Sequence, residues 1–270
     1  MIISHKHKYT LMRVPKTGST SLEASVRFCG AVHEDDICSN TEDAFLPAQN
    51  LPEKLKPELI QAHRFKKIVK EKVKYNFELT KKELLMEKYG RRWDLFMEHN
   101  TLDDWINIHH YSKHNLISKK QILEYKHYGF LREPIERYLS SFCFYQMWTS
   151  RTEKKPITVE AFHDFTLNEL KDHENILFRP QKDYFYFQGK QIAEPLMFKN
   201  WSSEASRMIK EIGFHPLKVY PMFKENGGGA KLRPDHVKPL VSDWVDKHSK
   251  IKDFIDEYFH EDIQFYNQYI

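Results

Sequence analysis

Two stretches of this 270-residue chain, residues 8–28 and 126–148, are built on the same plan. In each, a short apolar run with β-branched or aromatic residues stops at a turn containing proline, and a helical pattern follows. In the first, Lys8–Val14 (KYTLMRV) predicts a strand, Pro15 ends it, and LEASVRF from Leu22 has helical spacing behind a Ser/Thr cluster. In the second, Lys126–Leu131 (KHYGFL) predicts a strand, Arg132-Glu133-Pro134 a turn, and IERYLSSFCFYQMW a helix. Strands alternating with helices in this way argue for an α/β fold with a largely parallel sheet.

The remaining segments fit that scheme. Ser118–Tyr125 predicts a short helix with Ser118 as its N-cap. Further helices are expected near 158–172, over Ser202–Ile212 and through the amphipathic tail Val237–Tyr269, with a strand-like patch at Leu196–Phe198. Residues 31–57 read as irregular, and Glu225–Pro234 (ENGGGAKLRP) as a loop. From Pro57 to about Trp105 the chain reads as charged helix. Between Arg64 and Arg92 there are 11 Lys/Arg against 4 Glu, a local +7 in a chain whose total is only +4.

Composition narrows the class. Apolar residues make up 40% and aromatics 14%, enough for a sizeable core, so a wholly disordered chain is excluded. Nine glycines, three of them together at Gly227–Gly229, exclude collagen-like and low-complexity chains. A net +4 is too mild to imply nucleic acid. Cys29, Cys38 and Cys143 form no CxxC pattern, which suggests a reducing compartment. No apolar run reaches membrane-helix length, and MIISHKHKYTLMRV is too charged for a signal peptide. The expectation is a soluble, cytoplasmic protein with no membrane insertion.

The chemistry concentrates in the two turns. In Pro15-Lys16-Thr17-Gly18-Ser19-Thr20-Ser21, Gly18 lets the backbone turn tightly, and the amides after it open a helix, where free N–H groups and the helix dipole favour an anion. Lys16 and the hydroxyls add charge and donors. It is not a Walker A loop, since GxxxxGK[ST] is missing and the lysine precedes the glycine. An ordinary Ser/Thr-capped helix suits the same residues. In the second turn Arg132 emerges at a strand end, and Ser140 lies eight residues on, about two helical turns later. An arginine and a hydroxyl so placed can converge on one phosphate. Two such turns on neighbouring strand ends suggest a ligand with two separated phosphates. Taken separately, Arg132–Glu136 and Glu133–Arg137 also suit helix-surface ion pairs.

Together the two motifs resemble the sulfotransferases that use 3′-phosphoadenosine 5′-phosphosulfate (PAPS). PKTGSTS is similar to their 5′-phosphosulfate loop, and FLREPIERYLSSF to their 3′-phosphate motif, R-[DEN]-P-x-x-R-x-x-S-x-[FY]. The nearest likeness is to carbohydrate sulfotransferases acting on heparan 2-O and chondroitin 4-O positions and to their short microbial or viral homologues. Weaker likeness extends to RPQKDYF at Arg179–Phe185, PLMFKNW at Pro195–Trp201 and the C-terminal DIQFYNQYI. The resemblance implies one P-loop-like sulfotransferase domain over residues 1–270, with a charged helical insertion at about 55–108. It implies that Lys16 stabilises charge on the leaving phosphate, that Thr17, Gly18, Ser19, Thr20 and Ser21 bind the 5′-phosphate, and that Arg132 and Ser140 bind the 3′-phosphate. Lys231 and Arg233 fit a C-terminal loop closing over the nucleotide, or a solvated loop. The product is 3′-phosphoadenosine 5′-phosphate (PAP), and no metal is expected.

An acceptor hydroxyl needs a general base. The resemblance points to a histidine or glutamate upstream of the second strand, where this chain has His109, His110 and His114 in INIHHYSKHNLISKKQ. His110 and His114 stand 22 and 18 residues before Arg132 and are not separated by this reading; His63 in IQAHRF is weaker. Their i, i+4 spacing also suits zinc, but HExxH and a third ligand are missing. The basic stretch 64–92 reads as a solvated helical face rather than a polysaccharide site. Trp93, Trp105 and Tyr111 suit sugar stacking or core, and Phe254, Tyr258, Phe259 and Phe265 suit core. The acceptor is expected to be a glycan or small molecule, with no nucleic-acid partner and an open oligomeric state. The rival readings are a P-loop kinase using ATP, and a non-catalytic glycan- or polyanion-binding module.

Overall fold

The computed structural model describes residues 2–31, 37–38, 99, 101–107, 117–153, 158–170, 176–217, 243, 245 and 248–270. In chain order its main elements are β1 (Ile2–Ser4), β2 (Tyr9–Leu11), α1 (Ser19–Phe28), β3 (Ile37–Cys38), α2 (Leu102–Asn107), α3 (Lys119–Glu124), β4 (Lys126–Leu131) and α4 (Pro134–Glu153). There follow α5 (Val159–Asp164), β5 (Tyr186–Phe187), β6 (Lys190–Gln191), β7 (Ala193–Met197), α6 (Trp201–Glu211), α7 (Ser249–Tyr258) and α8 (His260–Asn267).

The central sheet has the order β3-β1-β2-β4-β7. β2, β4 and β7 run parallel, with Leu11 opposite Tyr128 and Leu131 opposite Met197. β1 joins β2 and β3 antiparallel. The fold is thus mixed α/β, parallel through the three strands at the heart of the sheet. β1 and β3 are additions to the expected scheme, since three- and two-residue strands carry too little periodicity to register in sequence. The helix expected near 158–172 closes as α5 followed by a π-helical turn over Phe165–Glu169.

Alternation along the strands sorts side chains onto two buried faces. Tyr9, Leu11, Tyr128, Phe130 and Leu196 meet Leu22 and Val26 of α1 and Trp201, Ala205, Met208 and Ile209 of α6. Those four α6 positions recur at helical spacing. On the other face Ile3, Met12, Leu131 and Met197 meet Leu102 of α2, Ile122 of α3, Phe185 and Phe265 of α8. Gly129, mid-strand in β4, keeps this face close: a Cβ there would stand 3.3 Å from both Met12 Cβ and Phe185 Cε1. A third, aromatic-rich cluster joins Tyr138 and Phe142 of α4 to Phe162, Phe178, Ile255 and Phe259. α3 begins as expected at Ser118, whose hydroxyl accepts from Gln121 N–H at 3.2 Å while the Gln121 side chain accepts from Ser118 N–H at 2.8 Å.

Two buried polar features tie the layers. His127, in β4, donates from Nε2 to Ile122 O of α3 at 2.5 Å and accepts at Nδ1 from the Thr10 hydroxyl of β2 at 2.6 Å, a pair of bonds that suits the neutral ring. Burial lowers its pKa, with the bond to Ile122 partly opposing. Arg137, fully buried in α4, faces Asp262 of α8 at 3.5 Å and donates to Leu177 O at 3.1 Å and Arg179 O at 2.9 Å. Burial pushes Asp262 upward, and Arg137 with the amides of Gln181 and Lys182 pulls it back.

Asp262→Ala would leave Arg137 buried with no carboxylate opposite, and is expected to destabilise the fold by roughly 3–5 kcal/mol in denaturant unfolding. His127 generates a pH effect of known sign. The unfolded chain takes up its proton near pH ~6.5 while the folded chain resists, so stability held at neutral pH is lost as pH falls below that value. His127→Gln is expected to melt below wild type near pH ~7.5, with the gap narrowing near pH ~5.5. A gap independent of pH would contradict the neutral, buried ring.

Candidate functional site

The parallel register puts the carboxyl ends of β2, β4 and β7 side by side, and each leads directly into a motif segment. β2 runs on through Val14 to the Pro15–Gly18 turn, β4 into Arg132, and β7 into Phe198. In open α/β sheets this edge is where ligands bind.

The first turn is braced from below. Arg13, buried at its entrance, meets Glu23 of α1 at 3.3 Å across the loop. The hydroxyl of Thr17, a residue assigned above to the 5′-phosphate, donates to Val14 O at 2.9 Å and so holds the turn. Lys16 and Gly18 both have left-handed backbone, with φ of 62° and 77°. For a lysine that is a strained conformation. The first bond into α1 is Leu22 N–H to Gly18 O at 3.2 Å, so the amides of Ser19, Thr20 and Ser21 precede any intrahelical acceptor. Ser19 and Ser21 are nearly buried.

The second turn is closed by a carboxylate of its own. The Glu133 carboxylate accepts from Ile135 N–H at 3.1 Å and Glu136 N–H at 2.6 Å, so the start of α4 is capped from within. Burial raises the Glu133 pKa, and these two bonds oppose the rise. What the turn offers at its outer side is thus side chains, not helix-end amides. Arg132 pairs with Glu136 at 3.2 Å, lies 4.7 Å over the Phe198 ring, and donates from Nη1 to Lys16 O at 3.2 Å. Arg137 forms no surface pair with Glu133 but is the buried partner of Asp262.

Lys16 Nζ stands 4.2 Å over the Phe144 ring. Glu136, Ser140 and Phe144 are spaced four apart on α4 and share one face, each step rising about 6 Å. Ser140 thus lies one turn from the carboxylate that pairs with Arg132 and one turn from the ring beneath Lys16. Phe198 closes the group: a Cβ on Gly18 would stand 3.0 Å from Phe198 Cε2 and from Trp201 Nε1. Lys16, Gly18, Ser19, Arg132 and Ser140 therefore gather at one edge, with Thr20 in the first turn of α1.

Three contributors were not legible in sequence. Phe198 reads as a strand end, Gln181 sits without a role of its own in the weakly similar segment RPQKDYF, and His99 lies in a charged stretch. His99 is buried and donates from Nδ1 to Arg13 O at the foot of the first turn. Burial first, then Arg13, hold it well below its ordinary pKa. His63, His110, His114, Lys231 and Arg233, with Trp93, Tyr111 and the basic stretch 64–92, lie outside the described residues. Among the described residues no group of three His, Cys, Asp or Glu could hold a metal, and no helix is long and apolar enough to cross a membrane. Comparison with family models, curated proteins and solved structures returned no match.

Gly18→Ala must adopt left-handed backbone and press a methyl against Phe198 and Trp201. The first effect alone is expected to cost about 1–2 kcal/mol in thermal unfolding. Gly30→Ala, also at positive φ but with open space around it, should lose only the conformational part.

Proposed function

We propose that the protein is a PAPS-dependent sulfotransferase, with a P-loop-like sulfotransferase fold, that moves a sulfuryl group from PAPS to a hydroxyl of a carbohydrate acceptor and releases PAP. The observation that carries this reading is the Arg132 guanidinium donating to Lys16 O at 3.2 Å. It joins two motif loops, 116 residues apart in sequence, at adjacent parallel strand ends. A nucleotide with phosphates at both the 5′ and 3′ positions needs two such loops within one ligand's reach; an ordinary nucleoside triphosphate needs one.

PAPS supplies the activated sulfuryl group, and the rest is done by this chain. The amides at the start of α1, with the hydroxyls of Ser19 and Thr20, bind the 5′-phosphate. The Lys16 ammonium, which rests on Phe144, offsets charge that grows on the departing phosphate oxygen. Arg132, exchanging Glu136 for a ligand, reads the 3′-phosphate with Ser140. His110 or His114 takes the acceptor proton as the hydroxyl oxygen attacks sulfur. Such transfer depends on positioning and charge stabilisation, with no covalent enzyme intermediate. The unpatterned cysteines suit a cytoplasmic setting.

Calorimetric titration with PAP, ADP and ATP, with and without Mg²⁺, tests the reading. Metal-independent binding of PAP, tighter than ADP, is expected; preference for ATP with Mg²⁺ would replace the reading with a kinase, and no binding would end it. Lys16→Ala should lower turnover by about 10²–10³-fold. Arg132→Ala should instead weaken PAP binding by about 10–100-fold.

A further inference from the structure

Beyond its last ladder pair, Leu131 with Met197, the β4 backbone leaves the sheet at Arg132. Backbone groups at such a point need new partners. One side chain supplies both: Gln181 accepts from Arg132 N–H at 3.0 Å through Oε1 and donates from Nε2 to Arg132 O at 2.8 Å. An amide side chain thus stands in for a neighbouring strand at a single residue. Gln181 is fully buried and is itself held in place. Its N–H donates to Asp262 Oδ2 at 2.8 Å, and Lys182 N–H donates to Asp262 Oδ1 at 2.9 Å. Asp262 faces Arg137, five residues beyond Arg132, and Arg137 ties down Leu177 O and Arg179 O on the same segment. The circuit runs from Arg132 through Gln181, Asp262 and Arg137 back to the helix that Arg132 precedes.

We propose that Gln181 is a positioning residue for 3′-phosphate recognition: it sets the backbone of Arg132 and so the direction in which the guanidinium leaves the sheet edge. The proposal rests on the reading of Arg132 as the 3′-phosphate ligand. Gln181 touches no nucleotide; it acts through Arg132. Only a group that both donates and accepts can do this. Methionine has the size without the bonds. An ionised glutamate keeps the acceptor but turns a second oxygen toward Arg132 O, whereas a protonated one again has one donor and one acceptor.

The test is the ratio of PAP to ADP affinity, since ADP lacks the 3′-phosphate. In Gln181→Met that ratio is expected to fall about tenfold, with ADP affinity little changed. In Gln181→Glu it should be low near pH ~8 and recover toward wild type, measured in parallel, near pH ~5.5, where the buried carboxyl takes up its proton. A purely structural role would not produce recovery on acidification. Amide exchange at Arg132 should quicken in Gln181→Met, a readout that needs no ligand. An unchanged PAP-to-ADP ratio in both variants would overturn the positioning role while leaving the sulfotransferase reading intact. Wild type that binds PAP no better than ADP would remove that reading, and this proposal with it. If Gln181→Met does not fold, the Gln181→Glu pH series decides alone.

Discussion

The parallel pairing of β2 with β4 is the constraint on which the rest depends. Tyr9 opposite Lys126 and Leu11 opposite Tyr128 define a register that, carried on three residues, sets Val14 before the first turn level with Leu131 at the end of β4. A shift of one residue would send Tyr128 and Phe130 to the wrong face, away from α1 and α6, and expose what is now core. Burial on both faces therefore enforces the alignment of the two loops. β7 extends the same edge, bringing Phe198 against Gly18 and Arg132.

Around that edge the protein holds conformations and charges that are unfavourable in isolation. Lys16 is left-handed, Arg13 and Glu23 are paired out of solvent, and Arg137 is buried with Asp262. Each persists because several neighbours act on it at once. Thr17 and Glu23 brace the first turn, and Gln181 with Glu133 braces the second. The bracing groups are not those best suited to meet a ligand. Within the motifs Thr17 and Arg137 face inward and Glu133 caps its own helix, leaving Lys16, Ser140 and Arg132 around the outer edge. Within each motif, then, some residues hold the turn and others line its outer edge.

Much of this architecture was legible as pattern. β4 occupies the residues expected of it, α6 lies within one residue of expectation, and Ser118 caps α3 through the predicted side chain. These features depend on local chemistry: apolar periodicity, a hydroxyl before a helix, proline after a strand. β1 and β3 escaped because strands of three and two residues have no period to detect; β1 forms against the edge of β2, and β3 against β1. The role of Gln181 escaped, although RPQKDYF was singled out, because a glutamine before a short 3₁₀ turn carries no signal of its own; its meaning comes from Arg132, 49 residues away.

What the sequence alone determined is the pair of strand–turn–helix units, with glycine where the first turn must be left-handed and cationic side chains at both strand ends. These follow from backbone sterics and local periodicity, which act over a few residues. Tertiary structure alone decided that the two turns touch, that Glu133 caps its own helix while Arg132 reaches across to Lys16, and that Arg137 turns inward to Asp262. Those outcomes depend on which groups burial brings together over more than a hundred residues in sequence, as between Lys16 and Arg132. A buried charge or backbone amide takes whichever partner lies within hydrogen-bond distance, and local sequence does not encode that distance.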